Sequence, residues 1–422
     1  MSRHIDVWAD WLETGSPALM GHLRSTLTRG KEVFSFTYDD AWLALENARQ
    51  LDPELRLFSG PQYPASSTRP NFGLFLDSSP DRWGRLLMQR REAARAREAG
   101  RPVRTLLETD YLLGVHDEQR SGALRFKEPE TGDRWQSSDS TMRTPPWTSL
   151  RELAHASWKI QDDSAIDDPH YRDWLRLLIA PGSSIGGARP KAGVMDPSGD
   201  LWIAKFPGRS DERDIAAWEM LAHRLAVAAG LHVAPADTQN FGSSHRTFLT
   251  RRFDRVPGSH GQRRTHFASA MTLLGYSDGD DHDAGASYLE IVEFLTREGA
   301  QPAADLAELW RRIVFSIAIR NTDDHLRNHG LLLTDHGWRL SPAYDLNPSP
   351  DGTGLSLNLS ETDNALSFDL ALEVAPHFRL KPRAAETLLA EVRNTVRTWR
   401  DHAHQLAIPR HEQETMAVAF SA

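Results

Sequence analysis

The segment at residues 320–330 places the strongest constraint on the fold of this chain. Its polar side chains can form one site only if the fold holds them together in a loop. It reads Arg-Asn-Thr-Asp-Asp-His-Leu-Arg-Asn-His-Gly, with Asp323 five residues before Asn328 and Arg327 between them. A carboxylate can orient a hydroxyl nucleophile, an amide oxygen can bind Mg²⁺, and a cation can offset the charge of a transferring phosphate. Asp and Asn also favour ordinary turns, because their side chains bond the local backbone. The spacing alone therefore indicates either a turn or a phosphoryl-transfer site.

The composition excludes several classes of protein. The chain has 422 residues, of which 40% are apolar, so it can bury the cores of two or three domains. Its 58 acidic and 49 basic residues give a net charge of −9, which argues against a nucleic-acid binder over the whole surface. It contains no cysteine, which excludes disulfides and cysteine-bound zinc. No signal-peptide core and no apolar run of ~18 residues is present, so a cytoplasmic protein without membrane contact is predicted.

Residue patterns predict a mixed chain that becomes mostly helical toward its C-terminus. Strands are predicted at residues 5–8, 33–37 and 247–253, hairpins at 192–206 and 331–340, and helices at 81–98, 149–160, 171–179, 288–297, 306–317 and 382–405. Ser210 is predicted to N-cap a further helix that ends at Gly230. This arrangement indicates an α+β protein.

Two charged stretches have both an ordinary and a functional interpretation. Residues 82–104 contain eight Arg and two Glu, which indicates either a solvated helix face or a patch for a nucleic acid or an acidic partner. His282 stands among aspartates at positions 278, 280, 281 and 283. That pattern is more typical of a mobile acidic loop than of a metal site.

A Gly-rich stretch and a strand lysine precede the opening segment. Residues 181–191 read Pro-Gly-Ser-Ser-Ile-Gly-Gly-Ala-Arg-Pro-Lys, and glycines let backbone N–H groups approach phosphate oxygens. The spacing is neither a Walker A motif nor GxGxxG, so a flexible surface loop is the alternative. Lys205 lies among apolar residues of a predicted strand, where a buried ammonium needs an anion such as a nucleotide phosphate. Asp214 and Glu219 are candidate ion-pair partners, and an edge strand with the amine in water is the alternative.

Four features follow one another in the order that protein kinases use. They are the Gly-rich loop, the strand lysine Lys205, the loop from Asp323 to Asn328, and Asp345, which lies 22 residues after Asp323. In that order the second aspartate holds Mg²⁺ and the lysine holds the nucleotide phosphates. The shared order favours a phosphoryl-transfer site over four unrelated loops.

Three motifs resemble the HipA family, which comprises bacterial serine/threonine kinases, many of them toxins of two-gene toxin–antitoxin systems. They are Ser184–Lys191, Asn321–Asn328 and Ser341–Leu346, and further similar segments occur near residues 73–84, 114–126 and 250–255. The resemblance implies an α+β, two-lobed protein-kinase-like fold with a β-containing N-lobe, a mostly α-helical C-lobe and an extra N-terminal α/β subdomain. The implied domains are an N-terminal subdomain at residues 1–135, an N-lobe at 151–258 and a C-lobe at 259–422. The polar stretch that leads to Pro145-Pro146 is the predicted linker, at residues 136–150.

The same resemblance implies a role for each matching residue. Asp323 is the catalytic base, Asn328 and Asp345 bind Mg²⁺, and Lys205 holds the phosphates of ATP. His325 and Arg327 support the catalytic loop. The other implied nucleotide-binding residues are Ser184, Ile185, Gly186, Gly187, Ala188, Lys191, Arg252 and Phe253. Arg189-Pro190 stands where many members have Gln-Glu, and Pro190 removes one backbone donor from the loop.

The resemblance also implies regulation and partners. Ser184, or its neighbour Ser183, matches a serine that these kinases autophosphorylate, and its phosphate would repel the phosphates of ATP. The implied function is an ATP- and Mg²⁺-dependent protein kinase that acts as a toxin on a translation component such as an aminoacyl-tRNA synthetase. A HipB-like DNA-binding antitoxin is the implied partner. The alternatives are a small-molecule phosphotransferase and a DNA-binding regulator without turnover, the latter based on residues 82–104.

Overall fold

The chain forms two compact units. A computed structural model describes residues 2–11, 16–65, 69–138, 144–179, 187–258 and 261–420. The N-terminal unit consists of Met1–Arg209 and Asp254–Ala268, and the C-terminal unit of Ser210–Phe253 and Ser269–Ala422. The chain therefore passes from one unit to the other three times. The division into a subdomain, a linker and two lobes stays a prediction.

The N-terminal unit begins with an antiparallel four-stranded sheet. Its strands are β1 (Ser2–Ala9), β2 (Ala18–Thr28), β3 (Lys31–Tyr38) and β4 (Leu124–Lys127), in the order β3-β2-β1-β4. Alternate side chains of β1 and β3 are buried, including Ile5, Val7, Phe34 and Phe36. This period of two places one face of the sheet on the core of the unit. Strands β1 and β3 confirm the prediction, whereas β2 was not predicted.

Helices and two hairpins complete the N-terminal unit. The helices are α1 (Asp40–Leu43), α2 (Gly73–Asp77), α3 (Arg82–Glu98), α4 (Glu108–Gly114), α5 (Leu150–Ile160) and α6 (Tyr171–Ile179). Strands β5 (Lys191–Met195) and β6 (Leu201–Lys205) form one hairpin, and β9 (Arg255–Gly258) and β10 (Gly261–Arg264) another. Strand β11 (Phe267–Ser269) follows, and its last residue is the first of the next segment of the C-terminal unit. The first hairpin and the helices α3, α5 and α6 confirm the pattern-based predictions.

Most arginines of the basic stretch at residues 82–104 have acidic partners inside the N-terminal unit. Five of the eight form ion pairs: Arg85 with Glu108, Arg90 with Asp163, Arg97 with Asp167, Arg101 with Glu92, and Arg104 with Asp110, at 2.6–2.9 Å. Their charge is largely balanced within the molecule. The structure therefore favours the ordinary interpretation of this stretch over a nucleic-acid patch.

Acid should destabilise the N-terminal unit through His266. Its ring is buried and stacks on Trp11 at 4.6 Å, and this burial lowers the pKa of His266 from 6.5 to about 3. Between these values the unfolded chain binds a proton that the folded chain does not, so stability falls as the pH falls, by up to about 1.4 kcal/mol per pH unit. Urea unfolding of the wild type and of His266→Phe at several pH values between about 4 and 6 should show a smaller loss of stability with falling pH in the variant. An equal slope in both proteins would contradict this origin, and exposed His4→Gln serves as the control.

The C-terminal unit is mainly helical. Its helices are α7 (Ile215–Ala228), α8 (Ala270–Leu274), α9 (Tyr288–Glu298), α10 (Pro302–Ala318), α11 (Phe368–Val374), α12 (Pro382–Val396), α13 (Trp399–Gln405) and α14 (Arg410–Met416). Its strands are β7 (Ala236–Gln239), β8 (Thr247–Arg251), β12 (Gly330–Thr334) and β13 (Gly337–Leu340), which form the hairpins β7–β8 and β12–β13. Among the residues that the structure describes, no helix is long and apolar enough to cross a membrane.

Helix α10 is the centre of the C-terminal unit. Its side chains Leu306, Leu309, Trp310 and Ile313 are fully buried, and it packs against α9, α11 and α12. The 3.6-residue spacing that predicted this helix is thus the spacing of its buried face. Helix α7 differs from the prediction in where it begins. Its N-cap is Asp214, which accepts a hydrogen bond from the backbone N–H of Ala217 at 3.2 Å, so the expected cap at Ser210 is wrong.

Candidate functional site

The loop from Asp323 to Asn328 follows α10 in the C-terminal unit and is closed by hydrogen bonds. The side-chain nitrogen of Asn328 donates to the backbone oxygen of Asp323 at 2.8 Å, and the backbone N–H of Asn328 donates to His325 at 2.8 Å. Asn328 is buried at the base of the loop, whereas Asp323 is exposed. The first hydrogen bond turns the amide oxygen of Asn328 away from the carbonyl. The loop therefore presents one carboxylate and one oriented amide oxygen.

A buried carboxylate, Asp324, fixes this loop to the helices beneath it. It accepts hydrogen bonds from the hydroxyls of Tyr288 at 2.7 Å and Ser316 at 3.2 Å, and its other oxygen lies 3.1 Å from Nε2 of His329. Burial alone would raise the pKa of Asp324, but the His329 ring and the two hydroxyls outweigh burial and lower this pKa. The neighbour of the candidate base is therefore a structural anion, ionised at neutral pH.

The loop that carries Asp345 is tied to the first loop. The side-chain nitrogen of Asn347 donates to Oδ1 of Asp345 at 3.1 Å, and the backbone N–H of Asn347 donates to the side chain of Asn321 at 3.3 Å. The Tyr344 hydroxyl donates to the backbone oxygen of Arg327 at 2.6 Å. Asp345 itself has φ of +59°, a left-handed conformation that favours Asn, Asp and Gly. These contacts fix Asp345 relative to the loop at 323–328.

Sequence reasoning gave no role to Asp324, Tyr344 or Asn347. Their partners lie in other elements: Tyr288 begins α9, 36 residues before Asp324, and Arg327 precedes Tyr344 by 17 residues. An Asn two residues after a carboxylate in a turn-forming segment is the one local signal that points to Asn347.

Other candidates in the C-terminal unit surround these two loops. The guanidinium of Arg327 pairs with Asp278 at 3.1 Å and is partly exposed. Phe253 packs its ring against Tyr344 with 5.6 Å between centroids, and Arg252 is buried. Asp278 belongs to the acidic stretch around His282, and among the described residues no group of three or more acidic, His or Cys side chains could hold a metal ion.

The Gly-rich loop and the two lysine candidates for nucleotide binding belong to the N-terminal unit, whereas Arg252 and Phe253 belong to the C-terminal unit. Gly187 and Ala188 are exposed, and Lys205 ends β6, half-buried and opposite Lys191 of β5 in the ladder. The ammonium of Lys191 is buried and lies 2.7 Å from Asp81. Ser183, Ser184, Ile185 and Gly186 lie outside the described residues, so their roles stay predictions.

The two acidic candidates for pairing with Lys205 are both on α7. Asp214 caps this helix and also pairs with Arg246 at 3.1 Å, which gives its carboxylate a role inside the C-terminal unit. Glu219 is buried on the same helix. Which of them pairs with Lys205 stays a prediction.

The donor set of the two tied loops suits Mg²⁺. This ion prefers hard oxygen ligands such as carboxylates and amide oxygens, and it keeps several water molecules. Asp345 supplies a carboxylate, and the hydrogen bond from Asn328 to the backbone leaves its amide oxygen as the ligand atom. Two such ligands, of which Asp345 is partly exposed, match a metal that is shared with the phosphates of a substrate.

Comparisons with known proteins give a family and a fold. A family model described as the HipA-like C-terminal domain matches residues 183–399, slightly more than half of the chain. A Sinorhizobium fredii protein named "Putative kinase Y4mE" is 32% identical over 148 residues, 34% of this chain and 33% of that protein. A Haemophilus influenzae protein named "Putative kinase" is 28% identical over 188 residues, 40% of this chain and 54% of that protein. The chain thus spans between a third and about half the length of these relatives.

One solved structure matches almost the whole chain. It is a chain of the Shewanella oneidensis MR-1 toxin–antitoxin complex of HipA, HipB and operator DNA, with a TM-score of 0.68 and 16% sequence identity. The match covers 99% of this chain and 95% of that one. At this identity the likeness shows a shared fold of helices and sheets.

Proposed function

Because the chain belongs to the family defined by the HipA-like C-terminal domain, we propose that it is an ATP-dependent serine/threonine protein kinase. The observation that carries this proposal is the closed loop at residues 323–328, with the exposed carboxylate of Asp323 and the oriented amide of Asn328. The hydrogen-bonded link from Asn321 through Asn347 to Asp345 adds the second acidic group. A carboxylate, an amide and a second carboxylate are the groups that kinases use for phosphoryl transfer. The proposed lobes are residues 151–258 and 259–422.

In the proposed reaction each residue has one task. Asp323 orients the hydroxyl of the protein substrate and accepts its proton while the oxygen attacks the γ-phosphorus of ATP and ADP leaves. Asn328 and Asp345 would hold Mg²⁺, which supplies charge neutralisation on the phosphates when bound. Arg327 offsets negative charge at the transferring group, and Lys205 holds the phosphates together with the Gly-rich loop. His325 supports the loop through its backbone bonds with Asp323 and Asn328.

Regulation and partners are also part of the proposal. Autophosphorylation of Ser184 or Ser183 would turn the enzyme off, since a phosphoserine in the Gly-rich loop repels ATP. A HipB-like antitoxin is the proposed partner, supported by the fold shared with a HipA chain found with HipB and operator DNA. The proposed role is a growth-arresting toxin of the cytoplasm that phosphorylates a translation component.

Incubation with γ-labelled ATP and Mg²⁺ tests the proposed function. Label on serine or threonine of the protein itself, or of one protein in a cell extract, is the expected result. Label transferred only to small molecules would instead identify a small-molecule phosphotransferase. Absence of ATP binding, together with salt-sensitive DNA binding through residues 82–104, would identify a DNA-binding regulator. The ion pairs formed by five arginines of that stretch weigh against this last outcome.

Asn347→Ala should raise the Mg²⁺ concentration for half-maximal activity about tenfold, because loss of a group that orients a metal ligand typically costs 10–100-fold in affinity. The alanine removes the donor that lies 3.1 Å from Asp345 and keeps the backbone bond to Asn321. Activity measured at increasing Mg²⁺ concentration gives the shift. Exposed Asn394→Ala on α12 is the control. An unchanged Mg²⁺ dependence in Asn347→Ala would contradict the orienting role.

A further inference from the structure

A buried ion pair in the N-terminal unit joins two segments that are far apart in the sequence. Nζ of Lys191, the first residue of β5, lies 2.7 Å from Oδ2 of Asp81. The two side chains are 2% and 1% exposed. Asp81 stands at the start of α3, 110 residues before Lys191. A buried charge is tolerated only with a close partner, so the two side chains hold these segments together.

Asp81 and its neighbour Trp83 hold both the side chain and the backbone of Lys191. The second carboxylate oxygen of Asp81 caps α3 by accepting the N–H of Gly84 at 2.8 Å. The indole Nε1 of Trp83 donates to the backbone oxygen of Lys191 at 3.0 Å, and this indole is buried. The N-terminus of α3 therefore fixes Lys191 at two atoms, its ammonium nitrogen and its carbonyl oxygen, and the cap holds the carboxylate that meets the ammonium.

The same ammonium holds the end of the Gly-rich loop. Nζ of Lys191 also donates to the backbone oxygen of Gly187 at 3.1 Å. Gly187 has φ of +81°, a conformation that glycine adopts without strain. A side chain at this position would begin 3.7 Å from the Lys191 ammonium. Gly187 and Ala188 are exposed, whereas Lys191 is buried. The Lys191 ammonium, which is held by Asp81 at the start of α3, therefore binds the Gly187 end of the loop from the protein interior.

We propose that Asp81 is a positioning residue for nucleotide binding, which acts by holding Lys191 and, through it, the Gly187 end of the Gly-rich loop. This inference rests on the proposed function and deepens it. In this arrangement Lys191 supports the Gly187 end of the loop from the protein side, whereas the proposed contact with the phosphates is made by Lys205. The N-terminal segment that carries α3 thereby becomes part of the support of the ATP site.

The anchor acts on affinity because it fixes the backbone of Gly187 before the nucleotide arrives. Without it, Gly187 has to be ordered on binding, and ordering one backbone residue costs an amount that corresponds to about a tenfold loss of affinity. The chemical step depends on Asp323 and its neighbours in the C-terminal unit, so kcat should change little. A split between KM for ATP and kcat therefore distinguishes a positioning role from a general loss of stability.

Two variants of the full-length chain test the proposal. Asp81→Asn keeps an N-cap and a hydrogen-bond acceptor but removes the charge that meets Lys191, and should raise Kd and KM for ATP about tenfold with kcat within about twofold. Trp83→Phe removes the donor to the Lys191 carbonyl together with part of a buried ring, leaves no charge unpaired, and should raise Kd about threefold. Calorimetry with ATP, steady-state kinetics and thermal unfolding are measured for each. Trp83→Phe decides the question if Asp81→Asn does not fold.

A matched control comes from another buried ion pair of the same unit. Arg69 and Glu54 lie 2.6 Å apart, and both side chains are largely buried. Glu54→Gln should lower the melting temperature without changing Kd for ATP. Wild-type affinity in folded Asp81→Asn and Trp83→Phe would overturn the positioning role, as would an equal affinity loss in Glu54→Gln. If the wild type itself binds no ATP, the proposed function fails first, so the two failures are distinguishable.

Discussion

Replacing Asp323 by alanine should lower the rate of phosphoryl transfer about 10³-fold, because a positioned general base typically contributes 10²–10⁴-fold. The substitution should leave ATP and Mg²⁺ binding nearly unchanged. The reason is structural: Asn328 is held by the backbone oxygen of residue 323, which alanine retains, and Asp345 is held by Asn347. Initial rates of label transfer from γ-labelled ATP, measured on the protein itself and on an extract, give the loss in the rate of phosphoryl transfer. Calorimetry with ATP and with Mg²⁺ gives the two binding affinities.

A matched control for Asp323→Ala is Asp401→Ala, which removes an exposed carboxylate of α13 in the same unit. This variant should keep full activity. A loss of less than tenfold in Asp323→Ala would exclude a role as general base. A loss of ATP binding in the same variant would show that Asp323 has a structural or binding role instead.

Asp324→Ala should destabilise the C-terminal unit by about 4 kcal/mol. Breaking a buried charged pair by removing one partner typically costs about 3–5 kcal/mol, because the other groups stay buried without a partner. Here the hydroxyls of Tyr288 and Ser316 and the ring of His329 would all lose the same acceptor. Urea unfolding, with hydrogen exchange of α9 and α10 as a local readout, measures the effect.

The pH dependence of the wild type checks the same contact. Since the pKa of Asp324 is lowered in the folded protein, its carboxylate stabilises the fold above the pKa of the unfolded chain, about 4, and this stabilisation is lost as the pH falls through the folded value. Asp324→Ala should therefore lack this component of the acid dependence. The exposed Asp401→Ala control should behave as the wild type does. A wild-type unfolding free energy in Asp324→Ala would contradict the structural role.

Local patterns predicted those parts of the fold in which one side-chain period dominates. The apolar stripe of α10 recurs every three or four residues, and the strands β1 and β3 alternate, so both were predicted from the sequence. Strand β2 was not, because its apolar residues are interrupted by Gly21, His22 and Arg24. Local cap signals placed the start of α7 at Ser210. The structure uses Asp214, whose carboxylate also meets Arg246, a partner 32 residues further along the chain.

The spacing of Asp323, Asn328 and Asp345 predicted a site, but the sequence could not show what holds it in place. The supporting contacts join residues that are distant in the chain, such as Tyr288 with Asp324 and Asp81 with Lys191. The same limit applies to the basic stretch at residues 82–104. Its arginines have partners up to 73 residues further along, so composition alone could not tell a charged patch from a set of ion pairs.

The threefold passage of the chain between the units has a consequence for its synthesis on the ribosome. Asp254 accepts the backbone N–H of Gly122 at 2.8 Å, and Arg255 donates to the backbone oxygens of Gly122 and Arg120 at 2.9 and 2.6 Å. These hydrogen bonds of the N-terminal unit cannot form until residues 254 and 255 have been translated. Both residues are translated after the first segment of the C-terminal unit. The N-terminal unit therefore cannot complete its fold during translation before a segment of the C-terminal unit has also emerged. A nascent chain stopped before residue 254 should lack native protection around Gly122 in hydrogen exchange.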